Sequence, residues 1–375
     1  MLRFDELSFW EKSSYFEKTD FLIIGSGIVG MSTALYLRKQ YNDARIVIIE
    51  RGYLPTGASS KNAGFTCFGS PTELYDDLKN IDEKTVWDTF SNRYSGLKSL
   101  FELVDDKTFH YEPCKSWDLI ETGVKNDINQ EFIEYINTKS HEITGVSNIY
   151  TEDLEVSKKF GFEQIQTSYC NKLEGAINTG KLVQVLHKEV IQNNIQILYG
   201  IEALSMDNAS KTVHIETEYG TLQTQNCIIA TNGFAKQWIN EDILPARAQV
   251  LVTNPIKDLK VKGTFHFEKG YYYFRNVGDR VLLGGGRNID VAGETTEKFG
   301  TTEKIQNKLQ DLLKHIIIPN QAWSIDYSWS GIMGVGQTKS PIVKMLNNNT
   351  AIGVRLGGMG VALGAQVGKK LASYF

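Results

Sequence analysis

Phe21-Leu22-Ile23-Ile24-Gly25-Ser26-Gly27-Ile28-Val29-Gly30, continued by residues 31–40 and by Ile46-Val47-Ile48-Ile49-Glu50, decides the fold. The first four residues are an apolar run suited to a strand buried on both faces. Gly25 permits a tight turn out of that strand. Gly27 lets backbone approach a pyrophosphate, and Gly30 lets the next helix pack against the strand. Ser26, Ile28 and Val29 complete the turn. The helix N-terminus presents free N–H groups and the positive end of its dipole to phosphate. Glu50 closes the second apolar run, where a carboxylate accepts hydrogen bonds from a ribose 2′-OH. Strand, glycines, helix, strand and acid in this order specify a Rossmann-like dinucleotide-binding unit. They leave NAD and FAD both open.

Working outward, 375 residues exceed one ordinary core and suit two domains. An apolar fraction of 41% and a charged fraction of 22% are those of a globular chain. A formal charge of −4 and the lack of a polybasic run argue against nucleic acid. Cys67, Cys114, Cys170 and Cys227 are scattered without metal or redox spacing and read as free thiols in a reducing compartment. The six histidines show no metal-ligand spacing, so no metal is expected; His110 and His266 read as packed side chains. Charges interrupt the N-terminal apolar residues, no stretch has the length of a membrane span, and cytoplasmic residence is the expectation.

Residues 74–103, 129–139, 177–193, 301–313 and 361–375 have helical periodicity. Strands are expected at 116–121, 195–198, 212–218, 227–230, 249–253, 271–274, 280–283 and 350–354. The last strand and helix need a sheet to join. The expected division is therefore a discontinuous nucleotide-binding domain (1–74, 146–244 and 321–375) and a second, mostly antiparallel domain (75–145 and 245–320). The fold class is α/β with an α+β second domain.

Past Glu50 the chain reads Arg51-Gly52-Tyr53-Leu54-Pro55-Thr56-Gly57-Ala58-Ser59-Ser60-Lys61-Asn62-Ala63-Gly64. This resembles the FAD-dependent D-amino-acid oxidase superfamily, which includes glycine oxidase and sarcosine oxidase. The resemblance implies that Glu50 and Arg51 serve the adenosine side. It puts Ser59, Ser60, Asn62, Ala63 and Gly64 beside the pyrophosphate and flavin. Ala230-Thr231-Asn232-Gly233 after a buried strand resembles the family's second dinucleotide contact, and Ala203 joins the expected FAD contacts. Arg355-Leu356-Gly357-Gly358-Met359-Gly360-Val361 resembles its flavin C2-carbonyl loop, where a helix N-terminus stabilises negative charge on the reduced ring. Trp329-Ser330-Gly331-Ile332-Met333 fits the segment before that loop, with Gly331 at the ring. The family's flavin-linking cysteine has no counterpart after Cys227, which implies non-covalent FAD.

Glycine oxidase-like relatives hold a substrate carboxylate with arginines, but Met333 and Gly358 or Met359 stand at those places. A thioether cannot replace a bidentate clamp. Arg275, Arg287 and Arg355 are the remaining arginine candidates. Tyr271 and Tyr273 share one face of their strand and are candidate cavity residues. The leading expectation is FAD-dependent oxidation of a C–N bond in an amine or amino-acid-like small molecule by hydride transfer to flavin N5. The imine then hydrolyses, and electrons pass to oxygen or another acceptor. Three alternatives stay open: a flavin dehydrogenase of a hydroxy acid or polyol phosphate, a non-catalytic flavin-binding protein, and an NAD-dependent dehydrogenase. The oligomeric state is not legible.

Overall fold

The computed structural model describes residues 3–208 and 211–375. Its first sheet runs, in spatial order, Ile342–Asn347, Thr350–Val354, Gly220–Ile229, Thr19–Ile24, Ile46–Glu50 and Gln196–Tyr199. The five from Thr350–Val354 to Gln196–Tyr199 are mutually parallel. Ala203–Asp207 and Val213–Thr217 add an antiparallel extension beside Gly220–Ile229. Alternation explains the apolar runs. Phe21 and Ile23 face a helical layer, while Leu22 and Ile24 join a separate core on the opposite side. A sheet covered on both faces needs strands that are apolar throughout.

The helical layer contains Ile28–Gln40, Glu83–Leu103, Thr179–Gln192 and Gly360–Ala372. Small residues set its spacing. A Cβ on Gly96 would lie 1.9 Å from the Ala362 carbonyl oxygen, and one on Gly368 would lie 2.7 Å from Ser32 Cβ. The C-terminal helix therefore touches both of its neighbours through backbone.

The second sheet runs Ile325–Val335, Leu244–Thr253, Arg280–Gly285, Tyr272–Val277, Thr264–Phe267, Ser116–Glu121, Ile165–Asn171 and Tyr150–Asp153. All its pairs are antiparallel except Thr264–Phe267 with Ser116–Glu121. One face buries Phe265, Tyr272, Phe274 and Leu283 under the helix Glu303–Leu312. The other face turns toward the first sheet.

Two expectations are corrected. Residues 74–103 are not one helix but two, Pro71–Asn80 and Glu83–Leu103. Ser70 caps the first, with Pro71 at its opening position, and Asp82 accepts from Thr85 N–H at 2.9 Å to start the second. Strands Tyr150–Asp153, Ile165–Asn171 and Ile325–Val335 fall inside the bounds drawn for the nucleotide-binding part, yet they hydrogen-bond in the second sheet. Pairing partners far away in sequence decide this, and a strand's own pattern does not name its partner.

Candidate active site

Between the sheets lies one cavity of about 660 Å³. One end is built by the N-terminal unit. Gly25 takes φ +106°, and a Cβ on Gly30 would sit 1.9 Å from the Gly25 carbonyl oxygen, so strand and helix meet through backbone. Gly27 is the N-cap of the helix Ile28–Gln40 and supplies no capping side chain, leaving first-turn N–H groups for an anion. Ser59 Oγ accepts from Ile28 N–H at 3.0 Å, which ties the small-residue loop to that helix start. Glu50 Oε2 accepts from Ser26 N–H (3.0 Å) and Ser26 Oγ–H (2.8 Å), and Oε1 accepts from Gly52 N–H (3.0 Å). The carboxylate is thus locked at the strand end where it lines the cavity. Arg51 lies 3.9 Å over the Phe234 ring and 3.5 Å from Glu202, beside Ala203.

The middle of the cavity is lined by Asn62, Ala63, Gly64, Thr231, Asn232, Gly331, Gly357, Gly358, Met359, Gly360 and Val361. Asn232 Oδ1 accepts from Leu356 N–H at 3.2 Å, joining two loops that lie 124 residues apart in the chain. Gly357 and Gly360 face open space where a Cβ would stand. The helix Gly360–Ala372 starts there without a capping side chain. A flat ring fits such a cradle: glycines that leave open space at 357 and 360, and the uncapped N-terminus of a helix beside them.

The far end is bounded by the short helix Pro71–Asn80, by Phe65 and Cys67, by Lys339, and by His266, Lys269, Tyr271 and Tyr273 of the second sheet. Tyr273 is half-buried, its hydroxyl pushed up to about 12 by desolvation, and its ring occupies the space left by Gly284. Charges here are mostly compensated. Arg93 meets Glu73 at 3.1 Å, Lys339 meets Glu73 and Asp77 at 2.7 Å each, and Lys269 meets Asp76 at 2.6 Å. Burial would raise the Glu73 carboxyl, but Arg93 and Lys339 overcome it and hold the group at about 2.

Two expected substrate arginines are corrected. Arg275 is buried, donating from Nη1 to the carbonyls of Gly64 (3.0 Å) and Ile177 (2.8 Å), and does not reach the cavity. Arg355 has φ +61° and spends its guanidinium on Asp242, Thr338 and the Ser340 carbonyl, so it braces the loop that carries Lys339. Ser26, Gly30, Ser60 and Gly233 stand behind the lining and shape it. Arg287 does line the cavity. Of its three lining arginines it alone has no side-chain partner among the described residues, and its Nε is buried. Sequence reasoning missed Glu73, Asp77, Arg93 and Lys339, and it treated His266 as packing. Nothing in the local pattern marks them, because their partners are remote.

The model of the FAD dependent oxidoreductase family (DAO) matches residues 20–374. The chain belongs to that family. Across 367 residues this DAO protein is 21% identical to the "Probable oxidoreductase OrdL" of Rhizobium meliloti (strain 1021), covering 95% of the chain and 82% of the relative. Over 164 residues it is 26% identical to an L-2-hydroxyglutarate dehydrogenase of Salmonella houtenae, covering 41% of the chain and 37% of that relative. Among solved structures, glycine oxidase from Bacillus cereus ATCC 14579 superposes with a TM-score of 0.74 at 16% identity, covering 95% of this chain and 94% of that one. Family membership settles FAD over NAD and an oxidoreductase over a passive flavin binder. Among the described residues no helix is long and apolar enough to cross a membrane.

Proposed function

We propose that this FAD-dependent oxidoreductase oxidises the C–N bond of a small amine that carries a carboxylate, and that Arg287 holds the carboxylate. The observation behind this reading is the unspent guanidinium of Arg287 in a cavity whose other arginines are paired. A planar fork of donors binds carboxylate bidentately. FAD, held non-covalently by Gly25 to Gly30, Glu50, the Ser59–Gly64 loop and the Gly357–Val361 loop, supplies the hydride acceptor when bound. Tyr271 and Tyr273 line the wall beside Arg287 and confine the amine. The edge-to-face rings of Phe65 and Tyr273, with Met359 also in the lining, give the cavity apolar surface that would strengthen an ionic contact to Arg287 by limiting water.

Anaerobic mixing with a panel of amino acids and N-substituted amino acids is expected to bleach the flavin absorbance. Arg287→Met should lower kcat/KM for the responding compound by roughly 100-fold, about 2–4 kcal/mol, and leave its decarboxylated amine unaffected. Equal losses for both compounds would overturn the role of Arg287. Oxygen uptake during turnover decides between oxygen and another acceptor. A second reading, oxidation of a 2-hydroxy acid, draws on the partial match to L-2-hydroxyglutarate dehydrogenase. Reduction by a hydroxy acid but not by the amino acid of the same carbon skeleton would favour it.

A further inference from the structure

Behind the far wall of the cavity stands a pair of titratable groups that neither the cofactor nor the substrate carboxylate uses. Glu174 lies in the turn between strands Ile165–Asn171 and Gly175–Ala176 and is 1% exposed. Its Oε1 accepts from the backbone N–H groups of Phe68 (2.8 Å) and Gly69 (3.2 Å). Its Oε2 has no hydrogen-bond partner among the described residues and lies 3.9 Å from His266 Nε2, which is equally buried and equally without a partner. The remaining edge of the imidazole belongs to the cavity lining, held against Phe65 with ring centres 5.3 Å apart.

An orphaned buried polar atom costs about 1–3 kcal/mol. Two such atoms 3.9 Å apart therefore need a reason. A proton exchanged between them supplies one, because a short approach from 3.9 Å would give each atom its partner. The surroundings keep that proton mobile. Burial pushes the Glu174 carboxyl up to about 7, against the pull of the two backbone N–H groups and the nearby Ser116 hydroxyl, and pushes His266 down to about 4. Glu73 adds negative charge near both groups. Cys67, Tyr111, Tyr150 and Cys170 face Glu174, and burial raises each of them, so all four are neutral. Asp118 is the register neighbour of His266 across the parallel strand pair and is itself pushed up to about 6 by burial.

We propose that Glu174 and His266 form a proton relay that accepts the dissociable proton of a substrate bound at this end of the cavity. The proposal rests on reading this end as the substrate end; it does not depend on the substrate carboxylate. In the step, an N–H bond of the substrate ammonium breaks and its proton passes to the cavity-facing nitrogen of His266. The Nε2–H bond of the ring then breaks, and an O–H bond forms on Glu174 Oε2. The substrate nitrogen keeps its electron pair, the imidazole ends neutral, and the carboxylate ends as carboxylic acid. No electrons change owner. His266 meets the substrate; Glu174 acts through it as a positioning and proton-holding residue.

Two measurements on the FAD-loaded protein test this. The first is the anaerobic flavin-bleaching rate from pH 5 to 10 with the amine found above. The wild type should show a rate that rises with pH through about 7. Glu174→Gln, which keeps the Oε1 acceptor, should lose that inflection and react roughly 100-fold more slowly at pH 8, with Glu174→Asp recovering part of the rate. The second is a ¹⁵N NMR titration of labelled histidines, His266 being assigned by its loss in His266→Gln. The His266 signal should remain that of a neutral ring below pH 6 and shift with an inflection near 7 that vanishes in Glu174→Gln. A pH–rate profile for Glu174→Gln that superimposes on the wild type overturns the proposal. So does a His266 signal that titrates near 6.5 regardless of Glu174. The NMR measurement needs no turnover, so it decides the relay even if no amine bleaches the flavin and the functional reading fails.

Discussion

Two arginines separated by one hairpin have different fates. Arg275 points inward and completes the hydrogen bonding of the Gly64 and Ile177 carbonyls, whereas Arg287 follows a glycine turn and keeps its guanidinium free at the cavity. Removing Arg275 orphans the Ile177 carbonyl rather than a substrate, and takes one of two donors from the Gly64 carbonyl, which keeps the Ile177 N–H at 2.8 Å. Arg275→Met is therefore expected to lower thermal stability while leaving the discrimination between carboxylated and decarboxylated amines intact. Melting temperature and the ratio of the two kcat/KM values check this. Glu50 makes a parallel case on the cofactor side. Its carboxylate holds Ser26 and Gly52 through three hydrogen bonds. Glu50→Gln replaces one acceptor oxygen with a donor beside Ser26 or Gly52, and FAD affinity should fall by about 10- to 100-fold, measured by fluorescence titration of the deflavinated protein. The place of Glu50 at the strand end beside the glycine turn was legible in the sequence because it depends on spacing from the glycines. The division of labour between Arg275 and Arg287 was not, because identical side chains are sorted by which carbonyls lie within reach.

At the scale of elements, the helix crossings are set by glycines that spacing alone does not flag. Gly96 lets Glu83–Leu103 lie against the C-terminal helix at Ala362. Gly96→Ala is expected to force these helices apart and destabilise the protein by about 1–3 kcal/mol. Because Ala362 lines the cavity, weaker FAD binding should accompany the loss, and denaturant unfolding with and without FAD reads both effects. The split at Asp82 belongs to the same scale. A mixed three-and-four periodicity runs through residues 74–103, but the caps at Ser70 and Asp82 break it into two helices. Glu73, Asp76 and Asp77, all on the first of the two helices, line the cavity.

Across the whole molecule, buried acids at the interface between the sheets make stability depend on pH. Glu174 keeps its proton up to about 7 in the folded chain, against about 4.3 when unfolded. The folded state therefore binds more protons between those values, and this contribution is complete below about 4.3 and is lost as pH rises through 7. His266, held down to about 4, contributes with the opposite sign, stability being gained as pH rises from about 4 to 6.5. Comparison with a variant isolates the acid. Relative to Glu174→Gln, the wild type should lose on the order of 3 kcal/mol between pH 4.5 and 8, measured by urea unfolding at each pH. A constant difference across that range would mean that Glu174 carries no displaced proton.

Residues 21–50 by themselves determined the dinucleotide-binding unit, the orientation of its glycines and the acid at its end, because each of these depends on neighbours within one strand–helix–strand turn of chain. The 51–64 and 355–361 segments likewise carried their resemblance to the family's flavin loops locally, and residues of both line the cavity. Tertiary structure alone decided which strands share the second sheet, which arginine remains unspent, and which ionisable groups meet. Lys339 and Glu73 are 266 residues apart and bond at 2.7 Å. Glu174 and His266 come from distant parts of the sequence, a turn after Ile165–Asn171 and the strand Thr264–Phe267, neither of which carries a motif. Contacts of that kind are written in the packing of two layers, where burial gives a side chain its charge state and its partner, and a linear pattern holds neither.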